Sequence, residues 1–262
     1  MDLQLAGKIA LVIGSSRGLG NAAALALAGE GAYVAINGRN MDELQVAAQR
    51  LRQATGSEIF PVAGDVTAIE TADCLVTETA EHFGGLDILI TNAGGPPSGL
   101  FESFDDATWQ FAVELSFLSH VRLIRAALPY LRKSSAASVV TITSSAVRQP
   151  IPNLVLSNSI RAATANLTKS LAIELGPQGI RFNSILPGWT KTERIAELLE
   201  YSAKAHEVTI EQEMSRQASE IPLGRYAHPE EFGRAAAFLA SPAASYITGV
   251  LLPVDGGVIK GL

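Results

Sequence analysis

A single cysteine, Cys74, stands in the 262 residues. One thiol cannot close an internal disulfide, and no Cys/His cluster has zinc-ligand spacing, so neither cross-links nor a metal site are expected. Cys74 itself reads as a structural residue. Basic residues are also short, 20 lysines and arginines against 26 aspartates and glutamates, for a formal net charge of −6. A binder of phosphate backbones needs a basic surface, so nucleic acid is not an expected partner. Long apolar runs are missing too. None approaches a membrane span, and the opening MDLQLAGK lacks the basic-then-apolar order of a signal peptide. Charged residues make up 18% of the chain against 47% hydrophobic ones, which excludes disorder and leaves a globular protein, expected in a reducing cytoplasm.

What is there is an alternation of short apolar runs with helical patterns, almost from end to end. Strands are expected at 8–13, 32–36, 59–62, 86–91, 138–143, 180–186 and 250–254, and helices at 19–28, 41–54, 69–83, 109–131, 158–175 and 229–239. The runs lack the in/out alternation of a half-exposed strand, so they suit strands covered on both faces. Such a pattern predicts right-handed βαβ units and one α/β domain over 1–262, a Rossmann-type doubly wound parallel sheet. Only 192–222 breaks the alternation. It is polar and helix-favouring, and it follows the run at 180–186. In an open α/β sheet ligands lie beyond the carboxyl ends of the strands, so this insertion is placed to act as a lid.

The first strand runs into the first helix through GSSRGLG: Gly14, Ser15, Ser16, Arg17, Gly18, Leu19 and Gly20. Glycines at this turn let the backbone approach a pyrophosphate, and the helix start offers free N–H groups and partial positive charge. A dinucleotide is the ligand such a turn takes. Its kind is read at the end of the second strand, where NAD sites place a carboxylate for the ribose 2′-hydroxyl and NADP sites an arginine for the 2′-phosphate. Here Asn37 and Arg39 stand there without a carboxylate, and Arg17 lies in the loop. Two guanidinium forks suit a phosphate, so NADP(H) is expected in preference to NAD(H).

The G-x-x-x-G-x-G spacing resembles the short-chain dehydrogenase/reductase family, in particular its 3-oxoacyl-carrier-protein reductase-like branch. Further marks follow in order. They are Asp65-Val66 after the third strand, Asn92-Ala93-Gly94 after the fourth, Pro187-Gly188 with Thr192, and Asp255-Gly256-Gly257. The resemblance implies that Asp65 and Val66 meet the adenine, that Asn92, Ala93 and Gly94 form the turn after the fourth strand, and that Pro187, Gly188 and Thr192 lie along the nicotinamide. It implies hydride transfer between nicotinamide and a carbonyl or alcohol, and assembly as a homotetramer or homodimer through helices such as 107–131 and 157–175.

The catalytic positions depart from that family. Its tyrosine and lysine, spaced Y-x-x-x-K on one helix face, fall on Ser157 and Arg161, and no tyrosine occurs between Tyr130 and Tyr201. The family's helix asparagine falls on Ser116, and the strand-end serine is either Ser144 or Ser145. An alkyl hydroxyl is a far weaker acid than a phenol, whose pKa is about 10. Arg161 can hold ribose hydroxyls but cannot donate a proton. Ser157 is then a relay, or the acid comes from the insertion, where Tyr201, His206, Glu197, Glu200 and Glu207 are candidates by location. His82, His120 and His228 read as structural residues far from the strand ends. Two functions fit: an NADP(H)-dependent oxidoreductase acting on a small-molecule carbonyl or alcohol with a non-standard proton donor, or a redox-inactive NADP(H)-binding sensor, scaffold or partner subunit.

Overall fold

The computed structural model describes residues 1–261; Leu262, the last residue of the expected domain, lies outside the described residues. The alternating apolar runs form β1 (Ile9–Val12), β2 (Tyr33–Gly38), β3 (Ile59–Ala63), β4 (Ile88–Thr91), β5 (Ser138–Ile142), β6 (Arg181–Pro187) and β7 (Leu251–Val254). Among the described residues they pair in one sheet of order β3-β2-β1-β4-β5-β6-β7. Every pairing is parallel. The order reverses between β1 and β4, so the loops leaving those two strands part and open a crevice.

Between them run α1 (Gly18–Gly29), α2 (Met41–Thr55), α3 (Thr71–Phe83), α4 (Asp106–Val113), α5 (Ser119–Leu131), α6 (Val155–Leu175) and α9 (Pro229–Ala240). Helices α1, α2 and α9 cover one sheet face, burying Leu27, Leu44 and Phe232 against Val12, Ile36 and Ile88. Helices α3, α5 and α6 cover the other, burying Leu75, Leu123 and Leu175 against Leu11, Leu89 and Phe182. Each such side chain contributes roughly 1.5–3 kcal/mol by leaving water. A lateral pin comes from Arg181 at the start of β6. Its guanidinium donates to the carbonyls of Leu239, Ala240, Ser241 and Ile247 at and beyond the end of α9.

The single helix expected at 109–131 begins earlier and is compound. Between α4 and α5 lies a π-helical turn, Glu114–Leu118, without a break in the helical path. One residue is thereby added per turn, a feature often found at functional sites. The 192–222 insertion forms two helices packed on each other, α7 (Glu193–Ala205) and α8 (Ile210–Ser219). They enclose a small core of their own, in which Leu199, Ile221 and Tyr226 pack with Trp189, Ile195 and Met214. Among the described residues, no helix is long and apolar enough to cross a membrane.

Candidate active site

The glycine loop is held open by its own packing. A Cβ on Gly20 would strike the carbonyl of Gly14, and Gly14 and Gly18 sit at φ of +59° and +61°, where a side chain is strained. Ser15, buried beneath the loop, donates to the Val12 carbonyl at 2.6 Å. Arg17 precedes α1 in an extended conformation without a side-chain cap, so the first N–H groups of α1 meet no capping side chain. Ser16 lies beside Gly38, and Leu19 packs against the core. Arg17 and Arg39 are both exposed.

Asn37 is nearly buried, and its side chain is spent on the protein. Its amide donates to the carbonyls of Val62 and Gly64, and its oxygen accepts from the N–H of Gly14. It staples the loops after β1 and β3 together. Asp65 is exposed and accepts from the N–H and hydroxyl of Thr67, bonds that hold its carboxyl below its ordinary value, with Arg39 adding to the effect. Val66 is half-buried next to it. Across the crevice, Asn92 donates to the Gly14 carbonyl at 3.2 Å and ties the β4 turn to the glycine loop. The Pro187-Gly188 corner is packed so closely on Asp255 that a Cβ on Gly188 would collide with its Cα. Thr192 caps α7 by accepting from Ile195. A groove of about 550 Å³ brings Gly18 and Asn21 of α1 together with Lys191, Thr192, Glu193 and Ile195.

Arg161 is 7% exposed, and its donors are committed. Nη1 donates to the carbonyls of Ile142 and Thr143, Nη2 to those of Ala93 and Gly94, at 3.2–3.3 Å. It thus knits the outgoing ends of β4 and β5. Burial, with Arg194 nearby, lowers its pKa to about 10, still a cation at neutral pH. Ser157 lies one turn earlier on α6, half-buried. Of the two strand-end serines, Ser145 is buried, whereas Ser144 is half-exposed with its hydroxyl accepting from the N–H of Ala146. Arg194, absent from the sequence reading, reaches from α7 over the β4 turn, with Nη2 at 3.4 Å from the Pro96 carbonyl and 3.5 Å from Ser98.

His120 stands elsewhere than its sequence position suggested. It is buried close enough to Arg161 for that charge, after burial itself, to push its pKa down to about 3. It is therefore neutral. Both of its ring nitrogens and the hydroxyl of Ser116 are buried without a partner among the described residues. The Ser116 carbonyl accepts from Thr164 of α6 at 2.5 Å. The other histidines are peripheral: His82 stacks on Phe60 and meets Glu58, and His228 begins α9. No spacing rule flags such a polar cluster, because its members come from two helices and two strand ends.

The candidate acids of the insertion lie at its surface. Tyr201 is 63% exposed, Glu197 pairs with Arg194, and Glu200 and Glu207 face solvent. His206 meets Glu213, which is fully buried and accepts from Ser202, Arg216, Gln217 and His206. These bonds, Arg216 first, hold the Glu213 carboxyl far below its ordinary range. An acid depressed in the folded state adds stability above its unfolded pKa and loses it as pH falls. Melting temperature is therefore expected to drop between about pH 5 and pH 3, with Glu213→Gln flattening that slope in calorimetric scans. A slope identical in the variant refutes this assignment.

A family model described as "Enoyl-(Acyl carrier protein) reductase", of the short-chain dehydrogenase/reductase type, matches residues 13–259. The chain is 30% identical to the NADPH-dependent reductase BacG of Bacillus subtilis, over 97% of this chain and 99% of that one. It is 34% identical to L-sorbose reductase from Gluconobacter frateurii, solved with NADPH and L-sorbose, at a TM-score of 0.95 with both chains fully covered. It is also 32% identical to an NADPH-bound short chain oxidoreductase from Pseudomonas aeruginosa PAO1 that contains an atypical catalytic center, at a TM-score of 0.89 over 97% of this chain and 98% of that one.

Proposed function

Since the chain belongs to the short-chain dehydrogenase/reductase family, we propose that it transfers hydride between NADP(H) and a small carbonyl or secondary alcohol, with a proton donor other than the usual tyrosine. The observation that carries this reading is the uncapped start of α1 preceded by the exposed Arg17, together with an exposed Arg39 and no carboxylate at the end of β2. The NADPH dependence of BacG and the NADPH bound to the two solved relatives point the same way.

NADPH supplies the hydride when bound. The chain's residues do the rest. The glycine loop and the α1 N–H groups take the pyrophosphate, and Arg17 and Arg39 the 2′-phosphate. Asp65 and Val66 border the adenine; Asn92, Ala93, Gly94, Pro187, Gly188 and Thr192 border the nicotinamide end. The Ser144 hydroxyl polarises the substrate carbonyl, and Ser157 passes a proton to the forming alkoxide and regains one from water. Arg161 holds the turn under the reacting atoms and keeps a positive charge there. The 192–222 insertion closes as a lid within a single NAD(P)-binding domain, with Arg194 latching it to the β4 turn. A homotetramer or homodimer in the cytoplasm fits the exposed Phe111 on α4 and Ile173 on α6.

The test is NADPH fluorescence titration, followed by NADPH oxidation with a panel of ketones, aldehydes and ketoses. Binding with turnover upholds the reading. Binding without oxidation of any carbonyl favours the redox-inactive sensor or scaffold, a reading served by an Arg161 whose Nη groups are spent on backbone. Arg39→Glu is expected to weaken NADPH about 10²-fold, through loss of a charge-assisted bond and added repulsion, while NADH affinity rises. Equal NADPH affinity in the variant would place the 2′-phosphate elsewhere.

A further inference from the structure

Trp189 sits inside the strip 188–192, whose Lys191 and Thr192 line the groove beside Gly18. The strip is fastened to the segment after α8 by two backbone bonds: Ala227 donates to the Trp189 carbonyl and Lys191 to the Ala227 carbonyl, both at 3.0 Å. The preceding residue, Tyr226, is 1% exposed and stacks on the Trp189 ring, with centroids 6.0 Å apart and planes within 15°. Its hydroxyl donates to Gln217 at 2.6 Å, and Gln217 donates to Glu213 at 2.8 Å. Glu213 also gathers Ser202 and His206 from α7 and the segment just beyond it, at 2.7 and 3.2 Å. An unbroken line of contacts therefore runs from the far end of the insertion to the strip.

A buried carboxylate is costly unless its oxygens are satisfied, and here they take five hydrogen bonds from four residues. Such a node has one low-energy arrangement. Everything bonded to it takes its place from it, and an aromatic ring stacked on the last member inherits that placement.

We propose that Glu213 is a positioning residue: acting through Gln217 and Tyr226, it sets the place of Trp189, so that the α7–α8 insertion and the strip 188–192 move as one body against the crevice. The proposal rests on the reading that this strip borders the nicotinamide. Closure of the insertion and presentation of the strip to the ligand are then one event. Neither Glu213 nor Tyr226 touches the reacting atoms, yet both control how those atoms are met.

The chain has two tryptophans, so Trp109→Phe leaves Trp189 as the sole indole reporter. In that background, Tyr226→Phe keeps the ring and deletes the hydroxyl bond, and Glu213→Gln keeps the shape and deletes the charge. Both variants are expected to shift Trp189 emission and to alter the emission change produced by NADPH. Where turnover is measured, kcat/KM is expected to fall toward the ~10²-fold loss that a displacement of about 1 Å causes. Should Glu213→Gln fail to fold, Tyr226→Phe carries the test, since only one hydroxyl is lost. Unchanged Trp189 emission and an unchanged NADPH response in Tyr226→Phe overturn the proposal. If the variants move Trp189 but NADPH leaves it undisturbed in the Trp109→Phe parent, the link from Glu213 stands and the placement of the nicotinamide beside this strip falls.

Discussion

Arg161→Met is expected to lower the melting temperature by roughly 10 °C and to weaken NADPH binding along with it. The guanidinium donates to four carbonyls at the ends of two neighbouring strands, in a site closed to water. Removing it leaves those acceptors bare. Each buried acceptor left unsatisfied costs about 1–3 kcal/mol, and since some regain water or shift, a total of about 4 kcal/mol is expected. A methionine of similar length fills the space, so the loss measures the hydrogen bonds and not a cavity. Arg161→Lys keeps the charge but reaches fewer carbonyls, and falls between the two. Calorimetry with and without NADPH reads both effects. A melting point unmoved by Arg161→Met would mean that the strand ends are held by something other than this side chain.

Ser157→Tyr is expected to raise carbonyl reduction about 10²-fold or more. Ser157 and Arg161 are four residues apart on α6, so a phenol at 157 lies on the face that carries the guanidinium. A phenol is a far stronger acid than an alkyl hydroxyl, and a neighbouring cation favours its ionised form. The variant should gain an ionisation below about pH 10 in the profile of kcat, where the parent has none from this position. Ser157→Ala, lacking any relay, should be slower than the parent. Equal rates in all three would show that position 157 takes no part in proton transfer and that the proton arrives from another direction.

Much of this architecture is legible in the chain because its causes are local. Strands buried on both faces need unbroken apolar runs such as IALV in β1, and a pyrophosphate turn needs small residues at fixed places, so both leave a trace in order along the chain. The bounds of the strands moved by a residue or two, as helix and strand ends do. The interior of the site left less trace. Arg161 lies 68 residues from the Ala93 carbonyl it holds, and carbonyls are the same in every residue, so no pattern marks them as its partners. Ser144 and Ser145 are adjacent in the chain, and only the turn after β5 sets them apart, burying one and leaving the other half-open. His120 reads as remote from the strand ends because Arg161, the charge beside it, comes from another helix, and no spacing along the chain marks the two as neighbours. Glu213 carries no mark in the sequence, and only the folding of α8 against α7 encloses it.

That π-helical turn has a consequence for which changes the chain can accumulate. Each residue advances an α-helix by about 100°, but a turn that holds one residue more than usual lets the α-helical turns on either side keep their phase. Swapping one side chain for another in 114–118 leaves that phase alone. Deleting a single residue there tightens the turn to an ordinary α-helical one and keeps Leu123, Ile124, Ala127 and Leu131 facing the interior, whereas a deletion inside α5 rotates every residue beyond it away. The segment is therefore permissive both to spelling and to the loss of one residue, a slack that the helices on either side of it do not have.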